Sequence, residues 1–138
     1  MNKPVRIQLN RIKGFNLQEH SKTLNGLDAI VVSRPSKFGN PFKDIDDMVY
    51  VDAIHKRKIL DRWVFYAMIT DSVNSVSMFR DMFYNINSHQ VDDSIYQRFR
   101  YMRDRIRDLE NKNLACFCPL NTKCHADILL NFINYIKK

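Results

Sequence analysis

The chain has 138 residues, a hydrophobic fraction of 45% and a formal net charge of +7 at pH 7. Its length suits one domain with one core, and its apolar content excludes a disordered chain. No apolar run is long enough to cross a bilayer or to form a secretory signal, so we expect a cytoplasmic protein without a membrane partner. The basic charge favours anionic partners, although a solvated basic surface is an equal alternative.

The first half of the chain predicts two strands and two helices. Apolar and polar side chains alternate over residues 5–11, which is typical of a half-buried strand. A β-branched run at 29–32 predicts a more buried strand that stops before Pro35. Apolar residues at helical spacing predict helices at about 52–70 and 72–84.

The second half predicts a helix, a strand, a turn and a final helix. The clearest helix covers about 93–110, because its apolar residues form one stripe: Ile95, Phe99, Met102, Ile106 and Leu109. A buried strand at 114–118, a turn at 119–123 and a helix at 125–138 follow. This alternation predicts an α/β fold: a small Rossmann-like layered domain with a short, partly parallel sheet and flanking helices, in a single domain over residues 1–138.

All three cysteines lie between positions 116 and 124, and an odd number so closely spaced makes a poor disulfide framework. Cys116 and Cys118 share one face of the predicted strand, while Cys124 and His125 start the last helix. Three interpretations stay open. The four residues are a zinc set without the spacing of a knuckle or ribbon, a reactive or anion-binding group at a helix N-terminus, or packed thiols.

The loop over residues 34–42, after the second strand, contains two prolines and a glycine, so it is expected to be ordered. Arg34 and Lys37 give it positive charge, and the amide of Asn40 offers directional hydrogen bonds. Its two phenylalanines either stack on a base or anchor the loop to the core. The alternative is a rigid loop with exposed basic residues and no ligand.

Ligands of α/β sheets bind beyond the carboxyl ends of the strands, where loops lead into helices. If the first two strands are parallel neighbours, the segment after the first strand joins the same pocket. The predicted ligand-binding residues are therefore Arg11, Lys13, Arg34, Ser36, Lys37 and Asn40. For a group-transfer or hydrolysis reaction, the candidate nucleophile and acid–base groups are Cys124, His125 and Asp127.

These segments resemble the family of domains of unknown function DUF4326, which is common in bacteriophages and bacteria. Phe38 and Phe117 stand where that family has tryptophan, and Ser33 stands where it has glycine. The resemblance implies a phage or bacterial setting, with the host cytoplasm as the location of a phage protein, and it implies a shared site but no reaction. The matching motifs are Arg34-Pro35-Ser36-Lys37, Gly39-Asn40-Pro41-Phe42, Cys116-Phe117-Cys118-Pro119, Cys124-His125-Ala126-Asp127 and, more loosely, Lys13-Gly14-Phe15.

We expect the protein to bind a nucleotide, nucleoside or other phosphorylated small molecule in a basic pocket beside the Cys/His cluster. The same pocket could also transform that ligand. The alternatives are a non-catalytic nucleotide or nucleic-acid binding module, and a phage accessory protein with a zinc-stabilised core.

Overall fold

The structure is a computed structural model, and it describes residues 3–34, 36–52, 63–70, 72–85 and 93–136. Within these ranges the chain forms four α-helices and two three-stranded sheets, one of them parallel, which confirms the predicted α/β fold. It divides into two compact units, the first comprising Met1–Gly39 and Asp104–Lys138 and the second Asn40–Arg103. The single domain stays a prediction. Within the described ranges, no helix is long and apolar enough to span a membrane.

The first unit contains a parallel sheet of three short strands, β1 (Arg6–Gln8), β2 (Ala29–Val31) and β6 (Asn113–Cys116), which lie in the order β1-β6-β2. Central strand β6 is buried along its whole length, because it pairs with a neighbour on either side. Ile7 lies opposite Ala115, and Ile30 lies opposite Leu114.

Two helices complete the first unit. Helix α1 (Leu17–Asn25) was not predicted, although it has clear ends: the Asn16 side chain accepts from the Glu19 amide, and Gly26 takes a left-handed φ of 80°. Helix α4 (His125–Ile136) confirms the predicted final helix. Its apolar face is buried and includes Ile128, Leu129, Phe132 and Ile133.

A buried amide holds the amino end of β6. The Asn113 side chain is fully buried and donates to Ser21 Oγ at 2.7 Å and to Asn25 Oδ1 at 2.8 Å. Its own Oδ1 accepts from the Val5 backbone amide at 2.9 Å. Because a buried amide without partners is costly, these bonds fix the register between helix α1 and the edge of strand β1.

In its described residues, the second unit contains two helices and a three-stranded antiparallel sheet whose strands lie side by side in chain order. The first hairpin turns through two residues, and Asp46 there has a positive φ of 53°, which aspartate tolerates better than most side chains. The elements are β3 (Phe42–Ile45), β4 (Met48–Asp52), β5 (Trp63–Met68), α2 (Ser75–Tyr84) and α3 (Asp93–Asp104).

The predicted helix at 52–70 is wrong over the part that the structure describes. Trp63–Met68 is strand β5, with Val64 opposite Val51 and Ala67 opposite Val49. Residues 53–62 of the predicted helix lie outside the described ranges. The run Trp63-Val64-Phe65-Tyr66 has strong β propensity, and the ladder with β4 satisfies its backbone, so the local helical spacing of apolar residues was misleading.

The helices predicted at 72–84 and 93–110 are confirmed. Helix α2 begins with a capping box between Asn74 and Ser77. Helix α3 is shorter than predicted, since it ends at Asp104 and a 3-10 helix follows at Ile106–Leu109. The predicted apolar stripe is nevertheless buried throughout: Ile95, Phe99, Met102, Ile106 and Leu109.

Candidate functional site

The parallel strands β1, β2 and β6 all end at one edge of their sheet. Backbone pairing continues past those ends, because the Leu9 amide donates to Cys116 and the Val32 amide donates to Ala115. Strands β1 and β2 are not direct neighbours, since β6 lies between them. Their common direction still sends the loops after all three strands out from the same edge.

Three thiols and one imidazole converge at this edge. Cys116 Sγ lies 3.1 Å from Cys124 Sγ and 3.4 Å from Cys118 Sγ, and no disulfide is formed. Cys124 Sγ lies 3.6 Å from His125 Nδ1. Cys116, Cys124 and His125 are 4%, 1% and 5% exposed, while Cys118 is only partly buried. We call these four residues the thiol–imidazole cluster.

One hydrogen bond fixes the tautomer of His125 in the cluster. His125 Nε2 lies 2.7 Å from the carbonyl oxygen of Val32. A carbonyl only accepts, so Nε2 carries a proton, and in a neutral imidazole this tautomer presents the Nδ1 lone pair to the Cys124 thiol. The hydrogen bond to Val32 therefore orients the imidazole with Nδ1 facing the Cys124 sulfur.

The pKa values of Cys116 and Cys118 are shifted in opposite directions. Hydrogen bonding with the thiol of Cys118 and then with that of Cys124 lowers the pKa of Cys116 to about 3. Hydrogen bonding to Cys116 and Cys124 raises the pKa of Cys118, and burial raises it further. Of these two sulfurs Cys116 is the one that favours the thiolate, since it also accepts from the Cys118 backbone amide at 3.4 Å.

Arg6 anchors the turn that joins the two halves of the cluster. Its guanidinium donates to four carbonyl groups of this turn, at 2.8 to 3.4 Å, and its Nε pairs with Asp127 Oδ1 at 3.1 Å. The side chain is only 7% exposed. The four carbonyls belong to Cys118, Pro119, Leu120 and Thr122.

Arg6 was missed as a site residue, because the sequence shows only a polar residue on an alternating strand. Its partners lie more than 110 positions away along the chain. An arginine on a strand of a predicted parallel sheet, together with Asp127 in the first turn of the last helix, was the one available signal.

Arg11 and Phe117 bring the loops after β1 and β6 into contact. The guanidinium carbon of Arg11 lies 4.3 Å from the centroid of the Phe117 ring. Arg11 is exposed, and the Phe117 ring is 42% exposed beside the thiol–imidazole cluster. This is a cation–π contact at the carboxyl edge of the sheet. Lys13 follows in an exposed turn closed by Phe15 and Ile12.

The loop after β2 begins at the cluster and then forms a tight turn. Val32, which accepts from His125, lies two positions before the exposed side chain of Arg34. The Ser36 amide donates to Ser33, and its hydroxyl accepts from the Phe38 amide at 3.1 Å. Lys37 is exposed in the same turn, and Pro35 lies outside the described ranges.

Gly39 allows this turn to close. A Cβ atom there would lie 3.0 Å from the Arg34 backbone and 3.0 Å from the Ser36 carbonyl oxygen. Phe38 and Phe42 are 7% and 1% exposed, so both rings are buried rather than available for stacking.

The Asn40 side chain makes two hydrogen bonds within the second unit. It is 6% exposed, donates to the Ser75 carbonyl at 3.1 Å and accepts from the Phe42 amide at 2.9 Å. These two bonds tie strand β3 to the start of helix α2. Its role in ligand binding stays a prediction.

The three predicted catalytic residues have different surroundings. Cys124 and His125 are adjacent and buried in the cluster. The Asp127 side chain is 45% exposed, and its carboxylate pairs with Arg6. A nucleophile must reach its substrate, and a thiol that is 1% exposed does not do so in this conformation. The catalytic roles therefore stay predictions.

A separate depression of about 360 Å³ lies at the opposite edge of the parallel sheet. Asp28 and Lys112, which line it, directly precede strands β2 and β6. None of the predicted site residues contributes to it. The full lining is Gln18, Lys22, Asp28, Ala29, Ile30 and Lys112.

Fold and site together define a mixed α/β protein with a thiol–imidazole cluster at the carboxyl edge of a short parallel sheet. The chain belongs to the family described as Domain of unknown function (DUF4326), whose model matches residues 15–135. This match confirms the resemblance and covers the cluster and the loop after β2. No curated protein and no solved structure matches the chain.

Proposed function

We propose that the protein binds an anionic, nucleotide-like ligand at the carboxyl edge of its parallel sheet. The observation that carries this proposal is the contact between Arg11 and Phe117, with 4.3 Å from the guanidinium carbon to the ring centroid. It places a fixed cation and an exposed aromatic ring where ligands of α/β sheets bind.

A stacked guanidinium is well suited to a phosphate. Its contact with the ring uses the face of the group and leaves the N–H donors in the guanidinium plane available to an anion. Arg34 and Lys37, on the loop after β2, add positive charge to the loops of the same unit. The net charge of +7 attracts anions over a longer range.

The burial of Cys124 and His125 favours binding over turnover. Both side chains face inward, toward the other sulfurs and the Val32 carbonyl, rather than toward a ligand above the edge. The proposal is therefore a binding site, with the cluster as its support. The three cysteines are reduced, which is typical of a protein in a reducing cytoplasm, and we include that location in the proposal. The proposal also includes a phage or bacterial setting.

Isothermal titration of the full chain with inorganic phosphate, adenosine, AMP and ATP tests the proposal. We expect the phosphorylated nucleotides to bind and adenosine to bind far more weakly. Arg11→Gln should weaken nucleotide binding by roughly tenfold to a hundredfold, because a charge-assisted hydrogen bond contributes about 1.5–3 kcal/mol. Phe117→Leu should weaken nucleotide binding more than phosphate binding.

Lys22→Gln is the matched control. Lys22 is an exposed cation of the same unit, but it pairs with Asp28 at the opposite edge of the sheet. Nucleotide affinity that falls equally in both variants, or no nucleotide binding at millimolar concentration, would contradict the proposal. A single-stranded oligonucleotide that binds far more tightly than ATP, with a steep salt dependence, would favour the nucleic-acid alternative.

A further inference from the structure

We propose that the thiol–imidazole cluster is a structural zinc site with Cys116, Cys118, Cys124 and His125 as its four ligands. This inference depends on the cluster alone and not on the proposed nucleotide binding. Three thiolates and one imidazole form a donor set that zinc prefers, and four protein ligands leave no open position for catalysis.

The distances in the cluster are close to those of a tetrahedral site. The ligand atoms of Cys116, Cys124 and His125 all lie within 4.8 Å of one another. Cys118 is outside this group of three, and its sulfur, 3.4 Å from that of Cys116, must move to become the fourth ligand. With zinc–sulfur bonds of about 2.3 Å, tetrahedral geometry places sulfur about 3.6 Å from a ligand nitrogen and about 3.8 Å from another sulfur. The distance from Cys124 Sγ to His125 Nδ1 is 3.6 Å. The sulfur–sulfur distances of 3.1 and 3.4 Å would need to open by about 0.7 and about 0.4 Å.

The surroundings of His125 are those of a metal ligand. Its Nε2 donates to the Val32 carbonyl at 2.7 Å, and this contact directs Nδ1, the other ring nitrogen, at the Cys124 sulfur. A second hydrogen bond of this kind orients nearly every histidine that ligates a metal. In an ordinary buried histidine, by contrast, nothing requires the other ring nitrogen to face a group of thiols.

The turn between the two pairs of ligands is already held in place. Arg6 fixes four of its carbonyl groups and the carboxylate of Asp127, so Cys118 and Cys124 are brought back to Cys116 without metal. Cys116, Cys124 and His125 are nearly inaccessible to solvent. A metal ion there would join strand β6, helix α4 and, through His125, the Val32 carbonyl after β2.

The main alternative to zinc binding is a disulfide between two of these cysteines. Cys116 and Cys124 are close enough to be oxidised to a disulfide, which would leave Cys118 as a single thiol. Such a protein has a mass two hydrogens lower than the reduced chain and one titratable thiol after unfolding. A zinc protein has the full reduced mass and three thiols that react only after unfolding or metal removal.

The test is elemental analysis of the purified full chain, with cobalt substitution as a second readout. We expect one zinc per chain, and intense sulfur-to-cobalt charge-transfer absorption after exchange. Cys124→Ser and His125→Ala should lose the metal, and Cys118→Ser should keep cobalt with roughly one third less charge-transfer intensity. His20→Ala is the matched control, because His20 is exposed and contacts Phe15 instead of the cluster.

If a variant fails to fold, zinc titration of the reduced, chelator-stripped wild type decides the question in its place. Binding of one zinc with sub-micromolar affinity, accompanied by protection of three thiols, supports the proposal. Protein from zinc-sufficient medium that carries no metal and does not take up zinc or cobalt would overturn it. So would unchanged zinc content in His125→Ala, or a native Cys116–Cys124 disulfide.

Discussion

His125 donates its Nε2 proton to the carbonyl oxygen of Val32 at 2.7 Å, across 93 positions of the chain. The bond joins the first turn of helix α4 to the segment that follows strand β2. It orients the imidazole toward the thiols and anchors the start of the loop that contains Arg34. One buried contact therefore connects the two segments that carry the sequence motifs.

Two substitutions of His125 separate the contribution of the hydrogen bond to Val32 from that of the ring nitrogen that faces the sulfurs. In His125→Gln the amide nitrogen can replace Nε2 as donor, but no group replaces Nδ1; His125→Ala lacks both. We expect His125→Gln to be more stable than His125→Ala by about 1–3 kcal/mol, because the buried carbonyl keeps a partner. Urea unfolding of the two metal-free variants measures the difference. Equal stabilities would show that the Val32 bond contributes nothing to the fold.

Arg6→Met removes the anchor of the turn after β6 while it keeps most of the apolar stem. We expect a loss of about 2–4 kcal/mol in the free energy of unfolding, since four carbonyl groups and one carboxylate lose their donor. Thiol reactivity with a chromogenic disulfide should rise in the same variant, because the turn no longer holds Cys118 against Cys116.

Arg107→Gln is the control for Arg6. Arg107 also pairs with a carboxylate, that of Glu110, but its side chain is 69% exposed. An exposed ion pair of this kind contributes little, so its loss should change the stability by less than about 1 kcal/mol. A similar loss in both variants would mean that Arg6 acts only as a surface charge.

Asn113→Leu replaces the buried amide at the start of β6 with an apolar side chain of similar size. We expect it to cost about 3 kcal/mol, because the Val5 amide and the Ser21 hydroxyl lose a buried partner. Chemical denaturation measures the loss. Asn131→Ala, on the exposed side of helix α4, should stay within about 0.5 kcal/mol of the wild type.

Gly39→Ala should distort the turn that carries Arg34 and Lys37. The added Cβ would meet backbone atoms at 3.0 Å, and backbone does not yield as a flexible side chain does. We expect a loss of about 1–3 kcal/mol in stability and weaker binding of any anion that the loop contacts. Ser72→Ala, at an exposed position of the second unit, is the control for the thermal denaturation. An unchanged melting temperature in Gly39→Ala would show that the turn adapts.

Local sequence patterns were sufficient to predict most of the helices and the parallel strands. The stripe from Ile95 to Leu109 and the apolar face of α4 follow directly from their spacing. Helix α1 could also have been found, because Asn16 and Gly26 are ordinary helix-end signals around a nine-residue segment. Strand β5 could not be separated from a helix by periodicity alone, since its partner β4 decides its conformation.

By itself, the sequence determined the α/β class, the two motif segments and the grouping of the thiols, because these depend on spacing within about ten residues. Only the tertiary structure placed β6 between β1 and β2, directed Arg6 at the turn after β6 and set Nε2 of His125 on the Val32 carbonyl. Each of these contacts joins residues more than 80 positions apart. No local pattern encodes such a contact, since it arises only when the strands pair and the core closes.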